Sequence, residues 1–340
     1  MNNRIYYACQ ALAISPYQAT PVWTTLRGLQ SAGINTKFNL QQIYEIGQLA
    51  IYQNYEDVPD VEVTVEKVLD GYCPAYCLAT SGAPASTLIG RSNQRAHIAM
   101  SLYADTTSLA SGAPNQEVVM SGMYVSQVGY NFATTGPFTE NVTFVGNTKV
   151  WQTGAFDFSG FTSAHGVVSL APSSASGVNF RQHIDLTASR FPTQIPGINA
   201  SGQNLSTATS GAFDASIQSV KTSCNLGRDQ ILELGRKNPY FRFMKVPADT
   251  STSIEIIAKV GDLINCYETT NSTKDEIIKL KTQEGTAIDL GSKNRLQSVN
   301  YGGANAGGGG GNATVTFQYI GFNDFDVRHP ADPNGYTPTF

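Results

Sequence analysis

Charge is scarce in this chain. Asp, Glu, Lys and Arg make up 14% of its 340 residues, against about a quarter in ordinary soluble proteins. Long solvated helices need Lys and Glu, so the deficit argues against a helical protein. Ser, Thr, Asn, Gln, Gly and Tyr fill the gap, a composition that suits strands and loops. It also suits a surface that meets other subunits. The 22 basic and 26 acidic residues leave a net charge of −4. That balance excludes tight nucleic-acid binding by counterion release. It remains compatible with DNA passing by without being held.

Long apolar runs are missing too. No stretch reaches 18 apolar residues, so no transmembrane helix and no membrane partner is expected. The first residues, through Ala13, loosely imitate a signal peptide. Gln10 breaks their apolar part, which is also too short, so that reading is rejected.

Cysteine is sparse and odd in number: Cys9, Cys73, Cys77, Cys224 and Cys266. An odd count rules out complete pairing within one chain. Cys73 and Cys77 have no second pair or histidine cluster to complete a zinc site. Buried free thiols are expected. A disulfide within or between subunits is the alternative, and it needs an oxidising setting such as a released particle.

Signatures of chemistry are equally thin. His97, His165, His183 and His329 lie outside metal-ligand spacing of one another. Ser169 lacks the flanking glycines of a nucleophile elbow. The run Gly307 to Gly311 is followed by a strand pattern, Ala313 to Phe317, and not by the Lys-Ser/Thr and helix of a phosphate loop. Asp57, Asp60 and Glu62 lack the glycine and distal glutamate of a calcium loop, and Asp324, Asp326 and Asp332 read the same way. Asn141-Val-Thr143 and Asn312-Ala-Thr314 fit a glycosylation pattern but read better as strand starts. Tyr240, Phe241 and Phe243 beside Arg242 and Lys245 come nearest to a base-stacking platform. They read as a strand packing its aromatics. No catalytic, cofactor-binding or metal-ligating constellation emerges, so no cofactor and no enzymatic activity is expected.

What the chain does contain is a repeat of itself. The segment from Leu29 to Gly47 resembles that from Ile217 to Gly235. Gln30-Ser31, Ile43, Glu45 and Gly47 recur 188 positions later, and Asn39-Leu40 recurs as Asn225-Leu226 with a two-residue slip. Val61 to Asp70 resembles Ser253 to Asp262, both alternating and ending Lys-Val-x-Asp. Gln127 to Tyr130 resembles Ser298 to Tyr301, and Asn141 to Val145 resembles Asn312 to Thr316. Four blocks in the same order indicate duplication. The expected organisation is a first domain over 1–153 with an N-terminal arm, a Ser/Gly/Ala-rich linker over 154–177, and a second domain over 178–340. Extended arms, Arg4 to Pro16 and Asn179 to Pro192, lead into the copies.

The dominant local pattern is alternation, so strands are expected over Val61–Leu69, Gln116–Tyr130, Thr139–Val150, Ile277–Lys281, Leu296–Tyr301 and Ala313–Val327. Asn300 to Asn312 is expected at a hairpin tip. Short helices are expected over Leu40–Ile46 and Arg228–Leu234, each closed by a glycine, Gly47 or Gly235. A further turn is expected near Tyr76 to Thr80. The fold class is mainly β, with two tandem antiparallel sandwich or barrel domains, each with a short helix.

Asp60 to Gly71, Asn225 to Tyr240 and Asn312 to Phe325 are similar to segments of bacteriophage tail tube and related virion structural proteins. This resemblance implies a β-sandwich flanked by a small helix. In that family six domains close a ring around a continuous inner barrel, and stacked rings form the conduit for genomic DNA. Two copies per chain then imply a trimeric ring with pseudo-sixfold symmetry. The resemblance further implies location in the virion tail after synthesis in the host cytoplasm. The partners it implies are the chain itself and the sheath, baseplate and terminator proteins, with DNA in transit but not specifically bound. Alternatives are a baseplate hub or tail terminator of related fold, and last a glycan-binding protein or hydrolase of the virion, which lacks the carboxylate pair it would need.

Overall fold

The computed structural model describes residues 4–18, 21–106, 113–154, 177–203, 215–266, 273–303 and 311–338. Residues 155–176, nearly all of the expected linker, and 304–310, most of the expected glycine-rich tip, lie outside the described residues.

The strands of the first half are β1 (Gln10–Pro16), β2 (Thr24–Thr25), β3 (Leu29–Lys37), β4 (Leu40–Tyr44), β5 (Ile51–Glu56), β6 (Asp60–Val68), β7 (Ala96–Leu102), β8 (Gln116–Ala133), β9 (Thr139–Gly146) and β10 (Thr148–Thr153). Those of the second half are β11 (Ser216–Asn225), β12 (Arg228–Ile231), β13 (Phe241–Met244), β14 (Asp249–Ile257), β15 (Lys279–Lys281), β16 (Ala287–Asp289), β17 (Arg295–Gly302), β18 (Thr314–Phe322) and β19 (Asp326–Arg328). The two helices are α1 (Ala75–Ala79) and α2 (Leu88–Ser92). The fold is mainly β and antiparallel, as the composition requires.

Eight strands form one continuous antiparallel run in the order β3-β6-β9-β8-β11-β14-β18-β17. Alternation sets its two faces. In β6, Val61, Val63 and Val65 are buried while Glu62 and Thr64 are exposed. In β18, Val315, Phe317 and Tyr319 turn inward in the same way. β8 is long enough to serve two sheets. Its C-terminal part pairs with β9 and β11, and its N-terminal part with β7 and β10. It changes partners near Gly122, whose φ of +66° is one that residues with a Cβ rarely adopt.

The order β3-β6-β9-β8 in the first half matches β11-β14-β18-β17 in the second. Irregularities fall at matching places. The β3–β6 ladder shifts between Leu29 and Ser31, and the β11–β14 ladder between Ile217 and Ser219. The β8–β9 ladder shifts between Val125 and Gln127, and β17–β18 between Leu296 and Ser298. A bulge adds a residue to one strand and is a placed feature, so its position marks register. At each first bulge a serine donates across the ladder to a glutamate: Ser31 to Glu66 at 3.4 Å and Ser219 to Glu255 at 3.2 Å.

These registers correct the sequence alignment. Lys37 lies opposite Asp60 and Asn225 opposite Asp249, so Lys37 corresponds to Asn225 and the two-residue slip at Asn39 is absent. Glu66 corresponds to Glu255, which displaces the Val61–Asp70 match by three positions. Thr143, opposite Thr64 and Gln127, corresponds to Gln318, opposite Ser253 and Ser298. The Asn141–Asn312 match is therefore four positions out.

The helices expected at Leu40–Ile46 and Arg228–Leu234 are hairpins: β4 pairs with β5, and β12 with β13. Gly47 and Gly235 have φ of +104° and +85°. That conformation serves a hairpin tip as well as a helix end, so glycine could not tell them apart. Both helices lie in the first half; among the described residues of 178–340 there is no α-helix, only a single 3-10 turn at Arg181–His183. In the first half α1 covers the core. In the second, β15, β16 and β19 place Leu280, Ile288 and Val327 into the same cluster.

That cluster runs through both halves, from Leu12, Val63 and Tyr76 to Ile254, Phe317 and Phe325. Both lead-in segments belong to it. Gln10–Pro16 pairs with β7 along its whole length and buries Leu12 and Ile14. Phe191 is buried, and Ile184 and Arg190 bridge to Thr282 and Lys279. Neither is a free arm.

Candidate functional site

Asp60, Asp326 and Asp332, flagged in the sequence as possible chemistry, have structural partners. Asp60 accepts from Arg242 at 2.6 Å and from Asn39 and Gln230 at 3.1 Å. Burial alone would raise its pKa, but these bonds and the Arg242 charge outweigh that and hold it below the ordinary aspartate value. Asp332 is buried against Arg91, and Asp326 pairs with Arg328 at 2.8 Å. Phe241 in β13 packs edge-on to Tyr124, with ring centres 5.3 Å apart. Cys9, Cys73, Cys77 and Cys224 are buried free thiols, and Cys266 is exposed. Burial pushes the Cys224 thiol up to about 12, so it is not a nucleophile at neutral pH. Among the described residues, no group of three His, Cys, Asp or Glu is placed to hold a metal ion. No helix there is long and apolar enough to cross a membrane. His165, Ser169 and Gly307 to Gly310 lie outside the described residues.

Two buried carboxylates were not singled out by sequence. Glu140 accepts the Ala75 and Tyr76 N–H groups at 2.7 and 3.2 Å and the Tyr130 hydroxyl at 2.9 Å. It caps α1 from a neighbouring strand, doing what Pro74 at the N-cap cannot. Burial raises its pKa. Glu284 meets His329 Nε2 at 3.0 Å, with both side chains essentially inaccessible. Because His329 Nδ1 accepts the Ala331 N–H, the ring proton sits on Nε2. Both are enclosed, so neither can meet a substrate. Nothing local in the sequence marks them, since their partners are distant in the chain.

What stays open to solvent is the outer face of the eight-stranded run and its two ends. Small polar side chains such as Ser31, Asn35, Ser223 and Ser253 cover that face. Its charges are Lys37, Lys221 and Arg295 against Asp60, Glu62, Glu66, Asp249 and Glu255, an acidic balance. At the ends, β3 pairs only with β6 and β17 only with β18 among the described strands. The hairpins project apolar tips: Ile46, Leu49 and Leu234 are fully exposed. A polar, faintly acidic face with open edges and apolar protrusions is suited to assembly.

No family model matches the chain, and no curated protein matches its sequence. Among solved structures it is similar to a chain of the anti-feeding prophage baseplate, seen by cryo-electron microscopy with 6-fold symmetry imposed. That likeness has 10% identity, covers 45% of this chain and 98% of the other, and has a TM-score of 0.34. It is similar also to a chain of the tube-terminating cap of the same prophage, at 12% identity, 45% and 93% coverage and a TM-score of 0.32.

Proposed function

We propose that this chain is a non-enzymatic tail tube subunit of a phage or phage-like particle. It arose by duplication of one tube domain. Three copies form a ring with pseudo-sixfold symmetry, and stacked rings enclose the path of genomic DNA. The outer face of the eight-stranded run lines that path.

The observation that carries the reading is the strand order. One four-strand pattern occurs twice in a single sheet, with matching bulges and two free ends. Free ends invite unwanted pairing in a monomer, and ring closure removes them. The acidic balance of the face supports passage of DNA, since like charge keeps phosphates from adhering.

Electron microscopy of the purified full chain tests this. Hollow rings or tubes with three chains per ring are expected. A chain that stays monomeric, or rings of six chains, overturns it. Copy number per particle separates a tube subunit, present in many rings, from a baseplate hub or tail terminator, present a few times.

A further inference from the structure

The junction between the two halves is itself a strand pairing. β8 and β11 lie side by side with Phe132 opposite Val220, Tyr130 opposite Thr222, Gly129 opposite Ser223 and Gln127 opposite Asn225. By the register established above, β17 stands in the second half where β8 stands in the first. Likewise β3 stands where β11 stands. The last strand of one copy and the first strand of the next thus carry the two sides of a contact that the chain already makes within itself.

Burial points the same way. Val128 and Tyr130 of β8 are 0% and 2% exposed beside β11. Their counterparts Val299 and Tyr301 keep the same residue types and the same inward-facing positions. With β18 on one side and no described strand on the other, Val299 is half-buried and Tyr301 is 51% exposed. On the other edge Ile34, the counterpart of the buried Thr222, is half-buried. Neither strand carries a proline, and Lys37 and Arg295 near their ends are the only charges, so neither edge is blunted against pairing.

The geometry points to a second copy of this chain as the occupant of both edges: β17 of one copy pairs antiparallel with β3 of the next, Gly302 opposite Gly33, Tyr301 opposite Ile34, Asn300 opposite Asn35 and Ser298 opposite Lys37. This rests on the ring reading and adds to it which edges meet and in what register. An even number of strands separates equivalent ends, so the pairing direction repeats from copy to copy.

Disulfide trapping tests the register. A Cβ built on Gly129 lies 3.7 Å from Ser223 Cβ, within the span of a disulfide. Asn300 and Asn35 inherit that spacing across the seam. In a Cys266→Ser background, the full chain carrying Asn35→Cys and Asn300→Cys is assembled, oxidised and run under denaturing, non-reducing conditions. Linked dimers and trimers are expected, with trimer as the largest product. The pair Asn35→Cys with Ser298→Cys, two positions out of register, is expected to give at least tenfold less. Assembly seen by microscopy without the Asn35–Asn300 link, or with more linkage from the out-of-register pair, overturns the seam and leaves the ring reading standing. Failure of the unmodified chain to assemble overturns the ring reading and the seam with it. A ladder that runs past trimer keeps the register but refutes three-chain closure.

Discussion

Arg91 forms an ion pair with Asp332, 241 positions further along the chain, and both side chains are wholly buried. The guanidinium also donates to the Thr80 hydroxyl and the Ser86 and Val327 carbonyls. It lies 5.2 Å from the centre of the Tyr336 ring. This group fastens the C-terminal segment to the helices of the first half. Asp332→Ala strands a buried cation, and a loss of about 3–5 kcal/mol is expected. Urea unfolding of the purified chain measures it; a loss below about 1 kcal/mol would show that the pair is not holding the segment.

The two buried glutamates should respond to pH with opposite sign. For Glu284, burial raises the pKa, but hydrogen bonds from His329, Thr286 and Thr282 outweigh it and leave the carboxyl below its ordinary value. Its contribution to stability is present above the ordinary glutamate range and lost as pH falls through the folded pKa. Glu140 is raised by burial, so what it contributes is present at low pH and lost as pH rises through its folded pKa. Unfolding free energies between pH 3 and 7, on the order of a unit apart, should show a shallower acid-side loss in Glu284→Gln than in the parent. In Glu140→Gln the acid-side loss should be steeper, because the opposing titration is gone.

β8 passes from one set of partners to the other near Gly122. Its φ of +66° disfavours any side chain, although the space around it is open, with Tyr17 3.7 Å from a built Cβ. Gly122→Val should therefore cost about 1–3 kcal/mol through backbone strain alone. Thermal unfolding checks this, and an unchanged midpoint would mean that β8 does not need the left-handed conformation at Gly122.

Apolar tips at Ile46, Leu49 and Leu234 make no contribution to the core. Replacing all three with serine should change unfolding stability by less than about 0.5 kcal/mol per site. Self-association should fall severalfold, read by sedimentation or light scattering. Equal association in parent and variant would leave the tips without a role in assembly.

Glu66 and Glu255 occupy corresponding places on the polar face. Changing both to lysine reverses the acidic balance where the proposed function puts DNA. Genome release from particles carrying the double variant should be slower than from the parent, and more so at low salt, because surface attraction to phosphate is screened by ions. Equal release rates at low salt would count against a DNA-facing role for this surface.

Much of this fold was legible because alternation is a strong signal. Val61, Val63 and Val65 against Glu62 and Thr64 announce a strand with one wet face. A self-similarity of Leu29–Gly47 with Ile217–Gly235 was legible as well, through Gln30-Ser31 and Ile43 to Gly47. Its register was not, because strands built from Val, Thr and Glu resemble one another after a slip of a few places. Only the ladder, with its bulges at Ser31 and Ser219, decides which residues correspond. The hairpins were misread because their glycines fit a helix end equally well. Glu140 and Glu284 escaped notice because their partners are brought together by the fold and not by spacing in the chain.

The free ends β3 and β17 are unlike one another, and that has a consequence for growth. Two copies meeting through them cannot satisfy each other as a symmetric pair, for each contact uses one end and exposes another. In the proposed ring, addition would continue until curvature carries the newest arrival back to the founder. The size of the circle would then be a matter of how sharply the sheet turns per molecule, and a mutation that flattens it should yield wider hoops or open ribbons before it yields unfolded protein.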